Sequence, residues 1–591
     1  MRSAGRFAVG IIAVLMLVAA GCATVPSSGD PVDFAQVADP GTQVKDTTPE
    51  DGLGPLEIVR GFIAASARVD QDTKLNAARS YLTADAMKSW QAVPAGVMIL
   101  SAVPRYDLAA ETDDGVLLSS TTDGYLTPDG AYVPTPRMDF KVIVGVVQVD
   151  GQWRIQSPPN QLVLFVGDFN LAYTQREVYF IDHTGTLVVP DRRWLPNRSL
   201  YPVTMADQLL SKLISGPSDG LARAVRNELA GVSLRVAIKA GTDGVLQVDL
   251  TGVPSLTTEN ARSFAAQVVY TLRSDAANIR ILIDGAPLDI EQDVWTTGVL
   301  GSFDPDGVPG SGTPGAVGYY LNPDGAMVNL TGVPVWGTAG TGELQARSAS
   351  MSAATGDVAI VGTTDSGMTL YVGSPVHQEP MAAKLTATSF TAPSFSRAGD
   401  ELWTVINGAT APEVVRLAGS RYPVDSSALA GIGEITDLAL SPDGVRVAVV
   451  AGQKLYLSTV VYADDPGTSG ATESAQGVTA TLTSPVQLRS ELIVSRAIWS
   501  DSRNILITAV DVTSTYRTVW RIGMDGRVRT LQPTRGILAD VDAVAATGAL
   551  PTLISFGGRI YQLQGDESSG VWVSANPAGG PPAGSSPFYP A

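Results

Sequence analysis

Residues 440–450 read LSPDGVRVAVV, a turn signal followed directly by a run rich in valine. Such a phrase is typical of a strand that begins at a tight turn. Related phrases of turn and strand occur four more times: MSAATGDVAIV at 351–361, FSRAGDELWTV at 395–405, WSDSRNILITA at 499–509 and VAATGALPTLIS at 544–555. Successive phrases are separated by 44, 45, 59 and about 45 residues. A period of about 45 residues indicates a β-propeller, whose four-stranded blades must stack to bury their faces.

We therefore predict an all-β propeller of about five or six blades over residues 318–575. The long interval contains a polar insertion, DDPGTSGATESAQG at 464–477, and LNPDGAMVNL at 321–330 is a candidate for a strand that closes the ring. A two-sheet sandwich is the alternative that the same pattern leaves open. Residues 576–591 are rich in Pro, Gly and Ser, and we expect them to form a disordered tail.

Residues 176–299 are predicted to be an α+β domain. Its clearest element is a helix from Glu259 to Leu272 with apolar residues at helical spacing. The phrases VYF, LVVPDRR, LLSKLISGP, GVLQVDL, VVYTL and ILIDGAPL resemble, in their order and spacing, the spore-germination-type GerMN domain. That resemblance carries no catalytic motif. Residues 300–317, LGSFDPDGVPGSGTPGAV, are predicted from their composition to be a linker.

Residues 51–175 are predicted to be a further α+β domain, with two helices followed by strands. A stripe of Leu56, Val59, Phe62 and Ile63 has helical spacing, and a second helix is expected from about Lys74 to Trp90. The phrase VRGFIAASARVDQDTKLNAARSYLTADAMKSW resembles the opening of a cone-shaped domain of the nuclear-transport-factor-2-like (NTF2-like) class. Some members of that class are enzymes, but the few acids here favour an empty or ligand-binding cone.

The N-terminus predicts a lipoprotein signal peptide at residues 1–21. Arg2 and Arg6 precede 14 residues of apolar character and the sequence VAAGC, which ends at Cys22, the only cysteine of the chain. This pattern resembles a bacterial lipobox and implies S-diacylglycerol and N-acyl modification of Cys22. A cleaved secretion signal and a retained helix are the alternatives. Residues 22–50 have the composition of a flexible tether, with a reach of roughly 30 Å.

Composition excludes several classes of function. The 40 basic and 58 acidic residues give a net charge of −18, which argues against a nucleic-acid partner. Only two histidines, His183 and His377, are present, so we predict neither a metal site nor a cofactor. A G-x-S-x-G match around Ser218 follows a helix instead of a strand, so we predict no catalytic serine. A G-x-G-x-x-G match at 310–315 lies in the predicted linker, where no helix follows.

Two sets of propeller residues leave further roles open. Scattered acids leave room for a glycan-active carboxylate pair; they are Glu401, Glu413, Asp437 and Asp511. Five tryptophans are predicted to lie on propeller strands or their approaches, mostly in the core, with one or two exposed as anchors for a partner. They are Trp295, Trp336, Trp403, Trp499 and Trp520.

The whole chain resembles the LpqB family of actinobacterial lipoproteins. The start CATVPSSG, the YTL phrase at 270–272 and the SPDG at 441–444 contribute most to that impression. The resemblance implies a non-catalytic, extracytoplasmic accessory of the MtrAB two-component system that contacts the sensor kinase MtrB. It also implies a link to envelope growth and division. A ligand- or glycan-binding envelope lipoprotein and, less favoured, a propeller enzyme are the alternatives.

Overall fold

The computed structural model describes residues 49–591 apart from thirteen gaps. The gaps are 69–74, 92–95, 110–113, 198–203, 308–316, 366, 464–478, 490, 513, 531–539, 549, 566–568 and 577. The described part of the chain forms one compact unit. Within it, no helix combines the length and apolarity needed to span a membrane. Cys22, the predicted signal peptide and nearly all of the tether lie outside the described residues.

The first domain is a curved sheet with one long helix against it. Its helices are α1 Pro55–Ser66, α2 Asn76–Arg79, α3 Ala84–Ser89 and α4 Val166–Ala172. Its strands are β1 Val97–Leu100, β2 Arg105–Leu108, β3 Gly115–Leu126, β4 Tyr132–Pro134, β5 Asp139–Val149, β6 Gln152–Ser157 and β7 Leu162–Phe165. The sheet order is β6-β5-β3-β1-β7, with β2 and β4 on β3. The apolar stripe of α1, including Phe62 and Ile63, is buried against this sheet.

The prediction of a single second helix from Lys74 to Trp90 is wrong. The chain forms two short helices, α2 and α3, because the residues between them pair with β6. Thr83 N donates to Ile155 O at 2.9 Å, and Ile155 N donates to Tyr81 O at 2.9 Å. Thr83 then caps α3 by accepting a hydrogen bond from Ala86 N.

The second domain contains the predicted long helix. Its elements are β8 Tyr173–Asp182, β9 Val188–Pro196, α5 Met205–Ser215, β10 Val225–Arg226, β11 Ser233–Leu234, β12 Lys239–Ala240, β13 Leu246–Thr251, α6 Thr258–Leu272, β14 Ile279–Ile283 and β15 Ala286–Pro287. Thr257 caps α6 by accepting a hydrogen bond from Asn260 N at 3.2 Å. β13 and β14 pair in parallel across α6, which buries Phe264 and Val268 in the domain core.

The described residues of the third domain form six sheets, so the fold is a six-bladed propeller. The blade-one strands that open it are β16 Tyr319–Leu321 and β17 Met327–Asn329, followed by helix α7 Thr338–Thr341. Blade two has β18 Ala346–Met351, β19 Val358–Thr364, β20 Gly367–Gly373 and β21 Ala382–Ala387. Blade three has β22 Ser394–Phe395, β23 Leu402–Ile406, β24 Glu413–Ala418 and β25 Ser420–Tyr422. Blade four has β26 Val424–Asp425, β27 Ile435–Leu440, β28 Arg446–Ala451, β29 Lys454–Tyr462, β30 Ala480–Leu482 and β31 Val486–Leu488.

The remaining strands complete the ring. Blade five has β32 Leu492–Asp501, β33 Asn504–Asp511, β34 Arg517–Gly523 and β35 Val528–Thr530. Blade six has β36 Val541–Thr547, β37 Leu550–Phe556, β38 Arg559–Gln564 and β39 Val571–Ser574. The last strand, β40 Ser585–Phe588, pairs with β16 in blade one and contacts both β36 and β18. The C-terminal strand therefore closes the ring.

The repeated serine of the turn phrases has a structural role. It lies where one strand of its blade ends and the turn into the next strand begins. Ser396 Oγ accepts from Glu401 N at 3.1 Å, and Ser441 Oγ accepts from Arg446 N at 2.9 Å. In the second case Gly444, at φ 71°, supplies the left-handed residue that the turn requires.

Two segments that composition predicts to be loose are packed. The tail at 576–591 is not disordered over its described residues, because β40 is part of a sheet and Ala591 N donates to Met351 O at 2.8 Å. Within the predicted linker, Leu300 and Phe303 belong to the second domain's core. Residues 308–316 of that linker lie outside the described residues.

Candidate functional site

The hairpin of β8 and β9, here called the central hairpin, connects all three domains. Its Trp194 belongs to the core of the first domain, and its Phe180 to that of the second. Val189 packs with Val445 and Val461 of propeller blade four. Every residue of β9 except the last is buried. A strand buried on both faces can carry charge only if each charge has a partner.

Arg192 of the hairpin provides one such charge. Its Nη1 lies 3.2 Å from Asp525 Oδ1 in the β34–β35 turn of blade five, and its Nη2 lies 3.4 Å from Glu177 Oε1. Trp194 Nε1 donates to Asp525 Oδ2 at 3.1 Å. The side chains of Arg192 and Asp525 are 6% and 4% exposed. Each of these two charges is therefore costly without the other.

Arg527, two residues after Asp525, inserts among aromatic rings of the first domain and the central hairpin. Its guanidinium carbon lies 4.9 Å from the ring centroid of Trp194, 5.5 Å from Phe169 and 5.6 Å from Tyr132. Its Nη2 donates to Asn170 Oδ1 at 2.6 Å. A cation held against three rings joins the first domain to blade five by cation–π attraction.

A charged border continues this contact toward blade four. Asp123 of β3 lies 3.7 Å from Arg489 and 4.0 Å from Arg527. Burial, with Asp123 nearby, raises the pKa of Tyr132 well above its ordinary value, so the phenol stays protonated and donates to Asp123 O at 2.9 Å. The small cleft at this border is lined by Asp123, Pro134, Thr135, Pro136, Arg137, Gln487, Arg489 and Glu491.

Ser218, the serine of the G-x-S-x-G match, belongs to a second buried network. Its N–H donates to Asp191 Oδ2 at 2.7 Å and its Oγ donates to Asp191 Oδ1 at 3.0 Å. Arg193 Nη2 donates to the same carboxylate at 2.7 Å and to Gly216 O at 3.2 Å. Arg193 also pairs with Asp129 of the first domain. The hydroxyl of Ser218 thus fixes a loop against the hairpin.

A third buried cluster lies where the hairpin turn meets blades three and four. Glu401 Oε1 accepts from Arg416 Nε at 2.8 Å, while its Oε2 accepts from Trp403 Nε1 at 2.9 Å and Tyr462 OH at 3.0 Å. The ring of His183, in the hairpin turn, stacks on Tyr462 at 3.9 Å between centroids. Burial lowers the pKa of His183 and raises that of Tyr462. Both rings are therefore neutral at pH 7.

The other candidate acids are engaged separately. Glu413 is exposed and pairs with Arg421. Asp437 is buried between blades four and five, where its Oδ2 accepts from Ala497 N at 3.0 Å and its Oδ1 lies 3.5 Å from Arg496. Burial raises the pKa of Asp437. Asp511 ends β33 in blade five. These acids have different neighbours and lie on different strands.

The other candidate positions do not join these clusters. His377 is exposed in blade two, with Nε2 3.2 Å from Thr355 O. No group of three or more His, Cys, Asp or Glu in the described part of the chain could hold a metal ion. The glycines at 310–315 lie in the gap at 308–316, and Cys22 lies ahead of the first described residue, so its lipidation stays a prediction.

The tryptophans divide between core and surface. Trp403 and Trp499 are buried propeller residues, whereas Trp336 is 49% exposed on blade one. The prediction for Trp295 is wrong, because it is 1% exposed in the second domain's core and pairs with Ile279 of β14. Sequence reasoning also missed Arg192, Arg193 and their partners. The signal was present in VPDRRW at 189–194, where three charged residues interrupt a strand.

Comparison with known proteins places these domains in one family. Residues 48–170 match the family model described as the N-terminal domain of lipoprotein LpqB, 177–289 match "Sporulation and spore germination", and 325–590 match the LpqB β-propeller domain. Lipoprotein LpqB of Rhodococcus opacus (strain B4) is 30% identical over 96% of this chain and 95% of its own length. The protein of the same name from Mycobacterium leprae (strain TN) is 31% identical over 89% of each chain. The chain belongs to the LpqB family of lipoproteins.

Proposed function

We propose that this protein is a non-catalytic lipoprotein, anchored through acylated Cys22 on the extracytoplasmic face of the membrane, that contacts the sensor kinase MtrB and modulates the MtrAB two-component system. A role in envelope growth and division follows from the same family resemblance. The kinase itself is an expectation from that resemblance.

The single observation that carries the non-catalytic part is the use of the buried charges. Arg192, Arg193 and Glu401 each bridge strands or domains, and each has a buried partner of opposite charge. These partners are Asp525, Asp191 and Arg416. Groups committed to such ion pairs stabilise one relative position of the domains. A body of this kind suits presentation of surfaces to a partner better than bond-making chemistry.

The predicted anchor favours a partner in the same membrane. A tether of roughly 30 Å confines the body to a thin layer above the bilayer. Confinement raises its effective concentration for other membrane proteins, so that a weak contact is still occupied. With a net charge of −18, we expect the partner surface to be neutral or basic.

Binding of the full-length protein, purified in detergent, to the extracytoplasmic domain of MtrB across a salt series tests this proposal. We expect saturable binding that weakens as ionic strength rises, because exposed charge pairs are screened beyond ~8 Å at physiological salt. Absence of binding at every salt concentration, with both proteins folded, would reject the kinase and favour an envelope-ligand or glycan-binding role.

Cell fractionation tests the anchor independently. Cys22→Ala removes the sole cysteine, so the variant should move from the membrane fraction to the soluble fraction after signal cleavage. Ser27→Ala, a nearby substitution that leaves the thiol intact, should stay with the membrane. Membrane retention of the Cys22 variant in high salt would contradict lipidation at this residue.

A further inference from the structure

The two ends of the propeller differ in what covers them. The turns that contain the repeated serines meet the rest of the chain: Arg446 Nη2 donates to Pro190 O at 2.6 Å, and Ser502 N donates to Asp306 Oδ1 at 2.6 Å. Because strands alternate in direction, the connection that follows the next strand lies at the opposite end, where Arg137 of the first domain still approaches Glu491 to 3.9 Å. In blade five that connection joins β33 to β34, and residue 513 within it lies outside the described residues.

This opposite end carries an exposed apolar cluster on blade five. Val512 is 62% exposed, Tyr516 54% and Ile493 36%. Ile493 pairs with Val510, and Val510 pairs with Arg517, so Ile493, Val510 and Arg517 lie in one row across the blade. Val512 and Tyr516 lie just beyond this row, one directly after β33 ends and the other directly before β34 begins. Large aromatic and aliphatic groups that stay exposed beside each other are typical of interaction sites.

The row faces the acidic start of blade six. Arg517 Nη1 lies 3.8 Å from Asp542 Oδ1, and Arg517 N donates to Asp540 Oδ1 at 3.5 Å. Asp540 is exposed, and the side chain of Asp542 is 56% exposed. One arginine against two carboxylates leaves the border of the cluster negatively charged.

We infer that the cluster of Ile493, Val512 and Tyr516, bordered by Asp540 and Asp542, is the docking surface for the partner. Its occupant is a protein segment that presents an apolar side chain next to lysine or arginine. The apolar residues supply buried contact area, and the two carboxylates select a basic neighbour and speed association. This inference rests on the proposed function, since it names the surface that the membrane partner would use.

Blade one provides a matched control. Val333 and Trp336 are exposed to a similar degree, 57% and 49%, but the segment MVNLTGVPVWGTAGTG at 327–342 contains no charged residue. A surface that binds by apolar exposure alone would make the two clusters equivalent. A surface that needs charge as well would make only the blade-five cluster active.

The experiment measures binding of the full-length protein to the extracytoplasmic domain of MtrB for three variants. Val512→Ser with Tyr516→Ser should weaken binding by about tenfold or more, as expected for a pair of central contacts. Asp540→Asn with Asp542→Asn should weaken it about threefold and flatten its salt dependence. Val333→Ser with Trp336→Ser should bind as wild type does.

The outcomes separate the two proposals. Wild-type binding that survives both blade-five variants, or that is lost in the blade-one variant, overturns the docking surface and leaves the proposed function intact. No binding by wild type overturns the kinase and, with it, this surface. Thermal unfolding of each variant controls for folding, because substitutions at such exposed positions usually change stability by less than about 0.5 kcal/mol.

Discussion

Two regions hold this molecule together by different interactions. One is the ring closure of the propeller, and the other is the contact of the propeller with the first and second domains, here called the joint. The ring is closed by backbone pairing, with Tyr319 opposite Phe588 and Leu321 opposite Ser585 in blade one. The joint depends on side chains, chiefly the Arg192–Asp525 ion pair and the aromatic cage around Arg527. The first needs a segment to be present, whereas the second needs particular residues.

This difference determines how each region responds to substitution. Backbone hydrogen bonds form with almost any side chain, so single substitutions in β40 should be mild and loss of the strand severe. At the joint, Arg192 is buried between Asp525 and Glu177, so loss of Asp525 removes its buried partner and leaves the arginine with Glu177, 3.4 Å away. Comparing deletions with substitutions therefore separates the two regions.

Deletion of residues 585–591 should have the largest effect. It removes β40 and exposes Tyr320 and Leu321, which are 5% and 1% exposed in the intact fold. We expect the free energy of unfolding to fall by roughly 5 kcal/mol or more, which is comparable with the whole stability of a typical domain. Chemical denaturation followed by circular dichroism measures it. Ser585→Ala keeps the strand and serves as the control; a truncated chain with the wild-type midpoint would show that β40 is dispensable.

Asp525→Ala should have the second-largest effect. We expect it to lower the free energy of unfolding by about 3–5 kcal/mol, because it leaves Arg192 buried without its propeller partner. The free energy of unfolding by denaturant measures the loss. Glu413→Ala is the matched control, since Glu413 pairs with Arg421 at the surface and exposed pairs contribute about 0–1 kcal/mol. Equal effects of the two substitutions would show that burial at the joint adds nothing.

Arg527→Lys should lower the free energy of unfolding by about 1 kcal/mol. Lysine keeps the charge but loses the planar group that lies among Trp194, Phe169 and Tyr132 and donates to Asn170. Unfolding by denaturant is again the measurement, with Arg559→Lys as the control because Arg559 is exposed on blade six. A loss at Arg559 as large as that at Arg527 would contradict a role for the aromatic cage.

The same contrast explains which features the sequence predicts. Periodic patterns are local, so helix α6 and the serine shared by four of the five turn phrases can be identified from neighbouring residues. The ring closure can be predicted only on its N-terminal side, where LNPDGAMVNL at 321–330 contains β17 of the closing blade. SSPF at 585–588 is too short to be recognised, and its partner β16 lies more than 250 residues earlier. The joint is an intermediate case. VPDRRW indicates that buried charges need partners, but only the folded chain brings Asp525 and Arg527 to them.

The smallest expected effect concerns the pH dependence of the joint at His183. Its ring stacks on Tyr462, its Nε2 has no hydrogen-bond partner among the described residues, and burial lowers its pKa. Asp182 and Glu401 oppose that shift, while Arg416 and Arg226 add to it. The net direction favours the neutral ring in the folded protein.

The sign of the pH effect follows from this direction. Above the ordinary histidine pKa of ~6.5 the ring is neutral in both folded and unfolded chains, and the group contributes nothing to pH dependence. As the pH falls below ~6.5 the unfolded chain takes up the proton first, so stability decreases until the pH reaches the folded-state pKa. His183→Phe keeps an aromatic stack on Tyr462 and cannot titrate. Its free energy of unfolding should therefore fall less than that of wild type between pH 7 and pH 5, whereas His377→Phe, at an exposed position, should follow wild type. If both variants followed wild type across this range, the neutral stack at the joint would not contribute to acid sensitivity.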